Sequence, residues 1–291
     1  MPLFRSMLFA PGNHPRRVEK AFTLGADAVI LDLEDACPVP EKAASRPAVV
    51  AALQRPRECP GYVRINALTT DWAYQDLLAV VVAGVDGIVL PKVESVDEIR
   101  CAEWLMSQLE RERGLPRRSV DLIPILESGA GIAAAAGIAA AGTRVRRMAF
   151  GAGDFTLDLG LVWSREETEL LPYRSAVVLA SRTAGLEAPI DTVWVDLADG
   201  EGGAMSARRV RGLGFQGKLC IHPGQIAPIH DAFTPTAAEV DRARRVVAAF
   251  EAAEKQGSAA FQIDGQFVDY PIVYQAQRVL AAMDKIAAHN A

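Results

Sequence analysis

The sequence predicts a (β/α)₈ barrel with a C-terminal helical extension. Eight short apolar runs recur along the chain, at 6–11, 28–33, 62–66, 87–91, 121–126, 147–151, 192–196 and 218–222. Helical patterns separate them without a break in composition, as expected of a single α/β domain. The chain has 291 residues, 50% of them hydrophobic, which is one barrel of about 250 residues plus a short addition.

Most of the runs are continuous Val, Ile and Leu rather than alternating patterns. Both faces of each strand must then be covered, as in a parallel sheet flanked by helices. Between the runs, 41–53 reads as a helix opened by Pro40, with Ala43, Val49, Val50 and Leu53 on one face. The segment 96–113 places Ile99, Leu105 and Leu109 together, and 172–184 is a third helix. The Ala-rich stretch 129–141 reads as a buried helix, too short for a membrane span of about 20 residues. Eight strand–helix units favour closure over an open sheet. No GxGxxG follows the first strand, which argues against a dinucleotide-binding fold.

After His222 the rhythm changes. A long helix rich in Ala, Glu and Arg spans 235–256, a turn-rich piece follows at 261–268 around Asp264-Gly265, and 271–288 is a final helix. The barrel domain is expected at 1–233. The extension, 234–291, is longer than an eighth barrel helix requires, and is expected to act as a lid that packs on a neighbouring subunit.

Composition excludes several classes. The net charge of −5 leaves no phosphate-neutralising face, so nucleic acid is not an expected partner. The pairs Arg16-Arg17, Arg117-Arg118 and Arg146-Arg147 are dispersed loop charges. No apolar run is long enough to span a membrane. Cys37, Cys59, Cys101 and Cys220 form no CxxC or CxxH spacing, so no zinc site is indicated. A reduced, cytoplasmic chain is the simplest account of them. The N-terminus lacks a basic region followed by an apolar core, so no signal peptide is expected.

In such barrels chemistry sits at the C-terminal ends of the strands. Here those ends are polar: Glu34-Asp35 after the second, Arg64 and Asn66 at the third, Lys92 and Glu94 after the fourth, Glu127 after the fifth, Asp154 after the sixth and His222 after the eighth. One charge at such a place is often a helix cap. Several around one rim need a metal or a charged ligand to offset them. Glu127 and Asp154 follow neighbouring strands, and their hard oxygens suit Mg²⁺, with Mn²⁺ as the alternative. A cap for Asp154 and an ion pair of Glu127 with Arg64 or Lys92 are the plainer readings. Arg64 offers a planar fork matched to a carboxylate; its plainer reading is a salt bridge to Glu34 or Asp35.

Taken together, the segments RSMLFAPGN at 5–13, LDLEDA at 31–36, VRIN at 63–66, PKVE at 91–94, LES at 126–128, FGAGD at 150–154, KLCIHP at 218–223 and VDYP at 268–271 resemble the citrate lyase β-subunit-like branch of the HpcH/HpaI aldolase superfamily. Any one of them is weak; in this order they are specific. The resemblance implies a Mg²⁺-dependent carbon–carbon lyase that cleaves or forms a 3-hydroxyacyl-CoA such as malyl-CoA or citramalyl-CoA. The other reactants would be a 2-oxo acid and acetyl-CoA. It implies that Glu127 and Asp154 hold the metal, that Arg64 contacts the 2-oxo acid, and that Asp35 supports the metal's waters. Lys92 would lie near the site, and Gly153 would meet the substrate with Arg64, Glu127 and Asp154. Asp269, which alone reads as a helix N-cap beside Pro271, is implied to be the proton-transfer acid donated by a neighbouring subunit of a homotrimer or larger homo-oligomer. The CoA arm is expected along the first βα loop, near Arg5, Asn13 and Arg16.

The intact 268–271 segment favours a standalone enzyme using free CoA esters. Gln266-Phe267 stands where relatives often carry a small residue and methionine, which leaves the substrate open. The alternatives are a citryl-CoA lyase β subunit working with an acyl carrier protein, a malyl-CoA thioesterase, a pyruvate aldolase that needs no CoA, and a non-catalytic acyl-CoA-binding subunit.

Overall fold

The computed structural model describes residues 3–255, 261–263 and 265–290; Met1, Pro2, Gln256, Asp264 and Ala291, which the expected segments include, lie outside them. The chain divides into two compact units, Phe4–His230 and, with the extreme N-terminus, the residues from Asp231 on.

The first unit is a closed barrel of eight parallel strands. They are β1 (Ser6–Pro11), β2 (Ala28–Asp32), β3 (Gly61–Arg64), β4 (Gly87–Leu90), β5 (Asp121–Leu126), β6 (Ala149–Phe150), β7 (Ile190–Asp191) and β8 (Gly217–Cys220). Each pairs with the next, and Ser6 opposite Lys218 closes the ring. The helices are α1 (Pro15–Ala21), α2 (Lys42–Leu53), α3 (Ala73–Val80), α4 (Val96–Glu112), α5 (Gly129–Ala139), α6 (Ala152–Leu159), α7 (Leu171–Thr183), α8 (Gly200–Leu213) and α9 (Ile226–Phe233).

Local chemistry sets the helix starts. Ser95 and Glu98 form a reciprocal capping box on α4: the Ser95 hydroxyl accepts the Glu98 N–H at 3.3 Å, and Glu98 accepts the Ser95 N–H at 2.9 Å. Ser128 and Asp199 cap α5 and α8 through the N–H groups of Gly131 and Gly202. Gly131 is required as well as permitted, because a Cβ there would lie 2.5 Å from the Val93 carbonyl oxygen.

Three expectations are corrected. The seventh strand is not 192–196. Ile190 pairs with Ala149 and Gly217 to make the ladder instead. The Thr-Val-Trp-Val run leaves the sheet because its polar groups have partners elsewhere: Thr192 Oγ1 accepts the Ala152 N–H at 2.9 Å, and the Trp194 indole donates to the Asp199 carbonyl at 3.0 Å. The buried face of α2 is Lys42, Ser45, Val49 and Leu53, with Ala43 exposed. Helix α5 buries only one face, through Gly131, Ala135, Ile138 and Ala139; Ala130, Ala133 and Ala136 face water.

The barrel interior is filled by Met7, Ala28, Ile30, Tyr62, Val89, Ile123, Ile125, Ala149, Ile190 and Leu219. Strand side chains alternate between faces, so Asp191 and Lys218, next to Ile190 and Leu219, point outward under α7 and α8. There Arg174 grips Asp191 through Nε at 2.8 Å and Nη2 at 3.0 Å and reaches Glu167 at 2.9 Å. Lys218 pairs with Asp191, and the Ser206 hydroxyl donates to Glu167 at 2.7 Å. All four charged side chains are 0% exposed.

The second unit packs α10 (Ala237–Lys255) against α11 (Tyr270–Asn290) around Ala243, Val246, Phe250, Val268, Val273 and Ala276. A two-stranded antiparallel ribbon, β9 (Phe261–Ile263) and β10 (Gln266–Val268), precedes α11. Among the described residues no helix is long and apolar enough to cross a membrane.

Candidate active site

The alternation that fills the barrel also builds its mouth. Two residues beyond Ile30, Tyr62, Ile125 and Ile190, the inward positions are Asp32, Arg64, Glu127 and Thr192. Asp32 is fully buried. It accepts the N–H groups of Glu34 at 2.9 Å and Ala36 at 3.0 Å, and takes Arg64 side-on through Nε at 2.7 Å and Nη2 at 2.6 Å. The guanidinium lies 4.7 Å from the centre of the Phe9 ring. Its Nη1 lies 2.9 Å from Glu34 Oε2 as an ion pair without hydrogen-bond geometry, so Asp32 takes Nε and one Nη2 proton and the end-on Nη1–Nη2 edge makes no hydrogen bond among the described residues.

Glu34 bridges two cations, because its other oxygen takes Lys92 Nζ at 2.6 Å. The same ammonium lies 3.7 Å from Asp35 and 4.0 Å from Asp154. Lys92 has φ 53°, a left-handed backbone that costs about 1–3 kcal/mol in a residue other than glycine. That turn delivers the Lys92 N–H to Glu127 Oε1 at 2.8 Å. One strained residue therefore ties Glu34 to Glu127.

Glu127 packs against Gly151, where a Cβ would fall 2.5 Å from Oε2. Asp154 is not at a strand end; it sits in the first turn of α6, beside exposed Gly153. Thr192 fixes the start of that helix.

The charges do not balance. Among the described residues, Asp32, Glu34, Asp35 and Asp154 pair with Arg64 and Lys92, and Glu127 shares the charge of the same Arg64. Burial, then the charges of Glu34 and Asp154, push the Glu127 carboxyl up to about 8 against the pull of Arg64. Burial also raises Glu34, despite Arg64 and Lys92. Asp32 goes the other way: burial would raise it, but the Arg64 charge and hydrogen bonds hold it below the usual range. For Lys92 burial is outweighed by Glu34, Asp35 and Asp154, so its ammonium is held.

A surplus of oxygen anions beside a carboxyl that ionises reluctantly fits a divalent cation. Mg²⁺ takes one or two protein carboxylates and fills its remaining positions with water and substrate. Among the described residues no three His, Cys, Asp or Glu side chains close on one point.

Other expected residues fall apart from this cluster. Asn13 and Arg16 lie on or just after the loop that follows β1, Asn13 donating to Glu41 at 2.8 Å and Arg16 exposed. Arg5 does not join them. It precedes β1, at the opposite end of the barrel, where Asp27 takes its Nε at 3.0 Å and Nη2 at 2.8 Å in a buried pair. Asp269 belongs to the second unit, between β10 and α11, where its carbonyl accepts the Val273 N–H at 3.1 Å. Two clefts of roughly 200 and 220 Å³ flank Trp194; neither is lined by Glu127 or Asp154.

Sequence reasoning missed Asp32, Thr192 and Lys42. Strand alternation could have found the first two. Lys42 is in i, i+3 and i+7 spacing with Ser45 and Val49 on the buried face of α2, a weak signal for a charged residue.

Residues 5–223 match the HpcH/HpaI aldolase/citrate lyase family. The chain belongs to that family. Within it, the chain is 39% identical over 279 residues to the citrate lyase subunit beta of Escherichia coli K12, covering 95% of this chain and 92% of the relative. It is 34% identical over 306 residues to the L-malyl-CoA/beta-methylmalyl-CoA lyase of Cereibacter sphaeroides, covering 98% and 96%. A crystal structure of CitE from Mycobacterium tuberculosis in complex with magnesium, acetoacetate and coenzyme A superposes with a TM-score of 0.80 at 32% identity, over 97% of this chain and 98% of that one.

Proposed function

We propose that the chain is a Mg²⁺-dependent carbon–carbon lyase that cleaves, or in reverse forms, a 3-hydroxyacyl-CoA of the malyl- or citramalyl-CoA type. The products of cleavage are a 2-oxo acid and acetyl-CoA. The observation that carries the reading is the carboxylate surplus around buried Glu127, set beside the open end of the Arg64 fork. Relatives named as lyases, and a relative that holds magnesium and coenzyme A, support it.

Glu127 and Asp154 would hold Mg²⁺, which when bound supplies a Lewis acid at the substrate's 2-oxygen. Arg64 grips the carboxylate of the 2-oxo acid end-on, because Asp32 fills its side. Lys92 keeps Glu34, Asp35 and Asp154 from repelling one another, and Asp35, at the exposed lip, orients water at the site. Gly153 leaves an open approach to the first turn of α6. The carbinol hydroxyl gives its proton to the water that Asp35 orients as the bond between the carbinol carbon and its neighbour breaks. The electron pair of that bond leaves as the enolate of the acetyl thioester, and the carbinol becomes the 2-oxo acid. Asp269 protonates the enolate carbon; in synthesis it removes that proton. Such a step contributes about 10²- to 10⁴-fold.

Asp269 comes from a neighbouring subunit of a homotrimer or larger assembly, the second unit serving as a lid. The CoA arm follows the loop carrying Asn13 and Arg16; Arg5 is withdrawn from that role by its buried pair with Asp27. The intact 268–271 segment favours free CoA esters in the cytoplasm over a thioester on a carrier protein.

The test is a panel of malyl-, citramalyl-, methylmalyl- and citryl-CoA with Mg²⁺, products read by mass spectrometry. A 2-oxo acid with acetyl-CoA is expected from at least one. Hydroxy acid with free CoA would make the chain a thioesterase. Turnover of carrier-bound thioesters alone would make it a citrate lyase subunit. For Asp269, mixing Asp269→Asn with Glu127→Ala subunits should restore part of the activity; verified mixed oligomers without recovery would remove the shared site.

A further inference from the structure

Behind the mouth lies a cation that the reaction does not use. Lys42, in the first turn of α2, is 7% exposed. Its ammonium donates to the Leu33 carbonyl at 2.8 Å, the Glu34 carbonyl at 2.6 Å and Asn66 Oδ1 at 2.7 Å. Those contacts engage all three of its protons. None of the acceptors is a carboxylate, so a full positive charge is buried on three neutral oxygens. Desolvating an ammonium is expensive without a counter-ion. An apolar side chain of similar length would avoid that cost if packing were the only requirement.

The acceptors belong to two strand ends. Leu33 and Glu34 follow β2, and Asn66 follows β3 two residues after Arg64. Asn66 is itself held: its N–H and its side-chain amide donate to Asp76 at 2.9 and 2.7 Å, and Arg46 binds the other oxygen of Asp76 at 2.7 Å. The Asn66 amide also reaches the Leu33 carbonyl directly, at 3.0 Å, so Lys42 is the second link between this network and the 33–34 segment and holds the Glu34 carbonyl. The Glu34 side chain then sets the spacing of Arg64 and Lys92.

We propose that Lys42 is a positioning residue for the 2-oxo acid subsite: it locks the Leu33–Glu34 carbonyls so that the Glu34 carboxylate holds Arg64 with its end-on fork open. The inference rests on the lyase reading above. Lys42 touches neither substrate nor metal. Loss of its protons leaves the Leu33 carbonyl to Asn66 and the Glu34 carbonyl without this donor, which lets Glu34 shift and moves Arg64 with it, while Lys42 makes no contact with the β1 loop assigned to the thioester.

The experiment uses the full chain with Mg²⁺ and two variants, Lys42→Met, which keeps length and loses the protons, and Lys42→Gln, which keeps an amide donor. Calorimetric binding of glyoxylate and pyruvate, thermal melting and steady-state kinetics are measured together. In folded Lys42→Met, 2-oxo acid affinity and kcat should each fall by about 10-fold or more, as misplacements of an ångström do, while the KM for the thioester stays within about twofold. Lys42→Gln should fall between Lys42→Met and wild type. Wild-type oxo acid binding in folded Lys42→Met overturns the proposal, as do equal losses for oxo acid and thioester. Failure of both variants to fold also overturns it, since Lys42 would then be a folding residue. If the wild type bound no 2-oxo acid at all, the lyase reading would fail and take this inference with it; the other outcomes strike the inference alone.

Discussion

Two buried charge clusters in the barrel unit make an instructive pair. Under α7 and α8, unexposed Arg174 and Lys218, with partly exposed Arg209, leave neither Asp191 nor Glu167 without a cation. At the mouth five carboxylates face two cations. The carboxyl groups report the difference. Asp191 lies below its usual range, because Lys218 and Arg174 outweigh its burial. Glu127, also buried, is pushed up to about 8. A balanced cluster completes itself within the chain and serves the fold. An unbalanced one is complete only with a further positive charge, and its location at the C-terminal rim makes it a site.

The comparison predicts opposite responses. The largest effect should come from Glu127→Ala or Asp154→Ala, each lowering lyase turnover by roughly 10³-fold or more, since a Lewis acid is worth several kcal/mol. Circular dichroism should stay as in wild type. Full turnover in protein stripped by EDTA, with metal content verified as nil, would break the contrast.

Next, Asp191→Asn in the balanced cluster should cost about 3–5 kcal/mol of stability, because it leaves buried cations uncompensated. Denaturant unfolding measures this, and turnover per folded molecule should be unchanged. A drop in turnover without a drop in stability would mean that the outer cluster also serves the site.

Smaller again, Arg64→Lys keeps the charge and loses the fork. Weakening of the 2-oxo acid by roughly 10- to 100-fold is expected, one charged hydrogen bond being worth about 1.5–3 kcal/mol. Thioester affinity should hold. Equal losses for both in calorimetry would show that Arg64 is not a carboxylate clamp.

A last effect concerns pH. A carboxyl with a raised folded pKa keeps its stability below its ordinary 4.5 and loses it as pH rises toward about 8. In metal-free protein, Glu127→Gln should therefore match wild type near pH 5 and exceed it near pH 7, by on the order of 2–3 kcal/mol. Mg²⁺ should erase the advantage by stabilising only the wild type. A pH-independent difference in melting temperature would remove the electrostatic argument.

Much of this organisation was legible in the residues. Continuous aliphatic runs marked the strands, and β1 and β5 have the expected bounds, because a buried parallel strand admits little else. The polar strand ends pointed to the rim that holds Arg64, Lys92, Glu127 and Asp154. What could not be read depended on partners distant in sequence. The β-branched run at 192–196 has strand propensity, yet Ala152 and Asp199 draw its polar groups out of the ladder. Arg5 is near the first loop in sequence but at the far end of its strand in space. Lys42 looks like an exposed helix residue until Leu33, Glu34 and Asn66 are seen around it.

Lys92 carries a lesson for anyone engineering this scaffold. Its ammonium serves Glu34, and its main-chain amide serves Glu127. Side-chain scanning reads only the first of these duties, since every substitution except proline leaves the amide in place. Truncation to alanine would thus understate the position. A library built here should include glycine, which relaxes the φ of 53°, and proline, which cannot adopt it or offer the proton. The gap between those two variants measures what the peptide unit itself contributes.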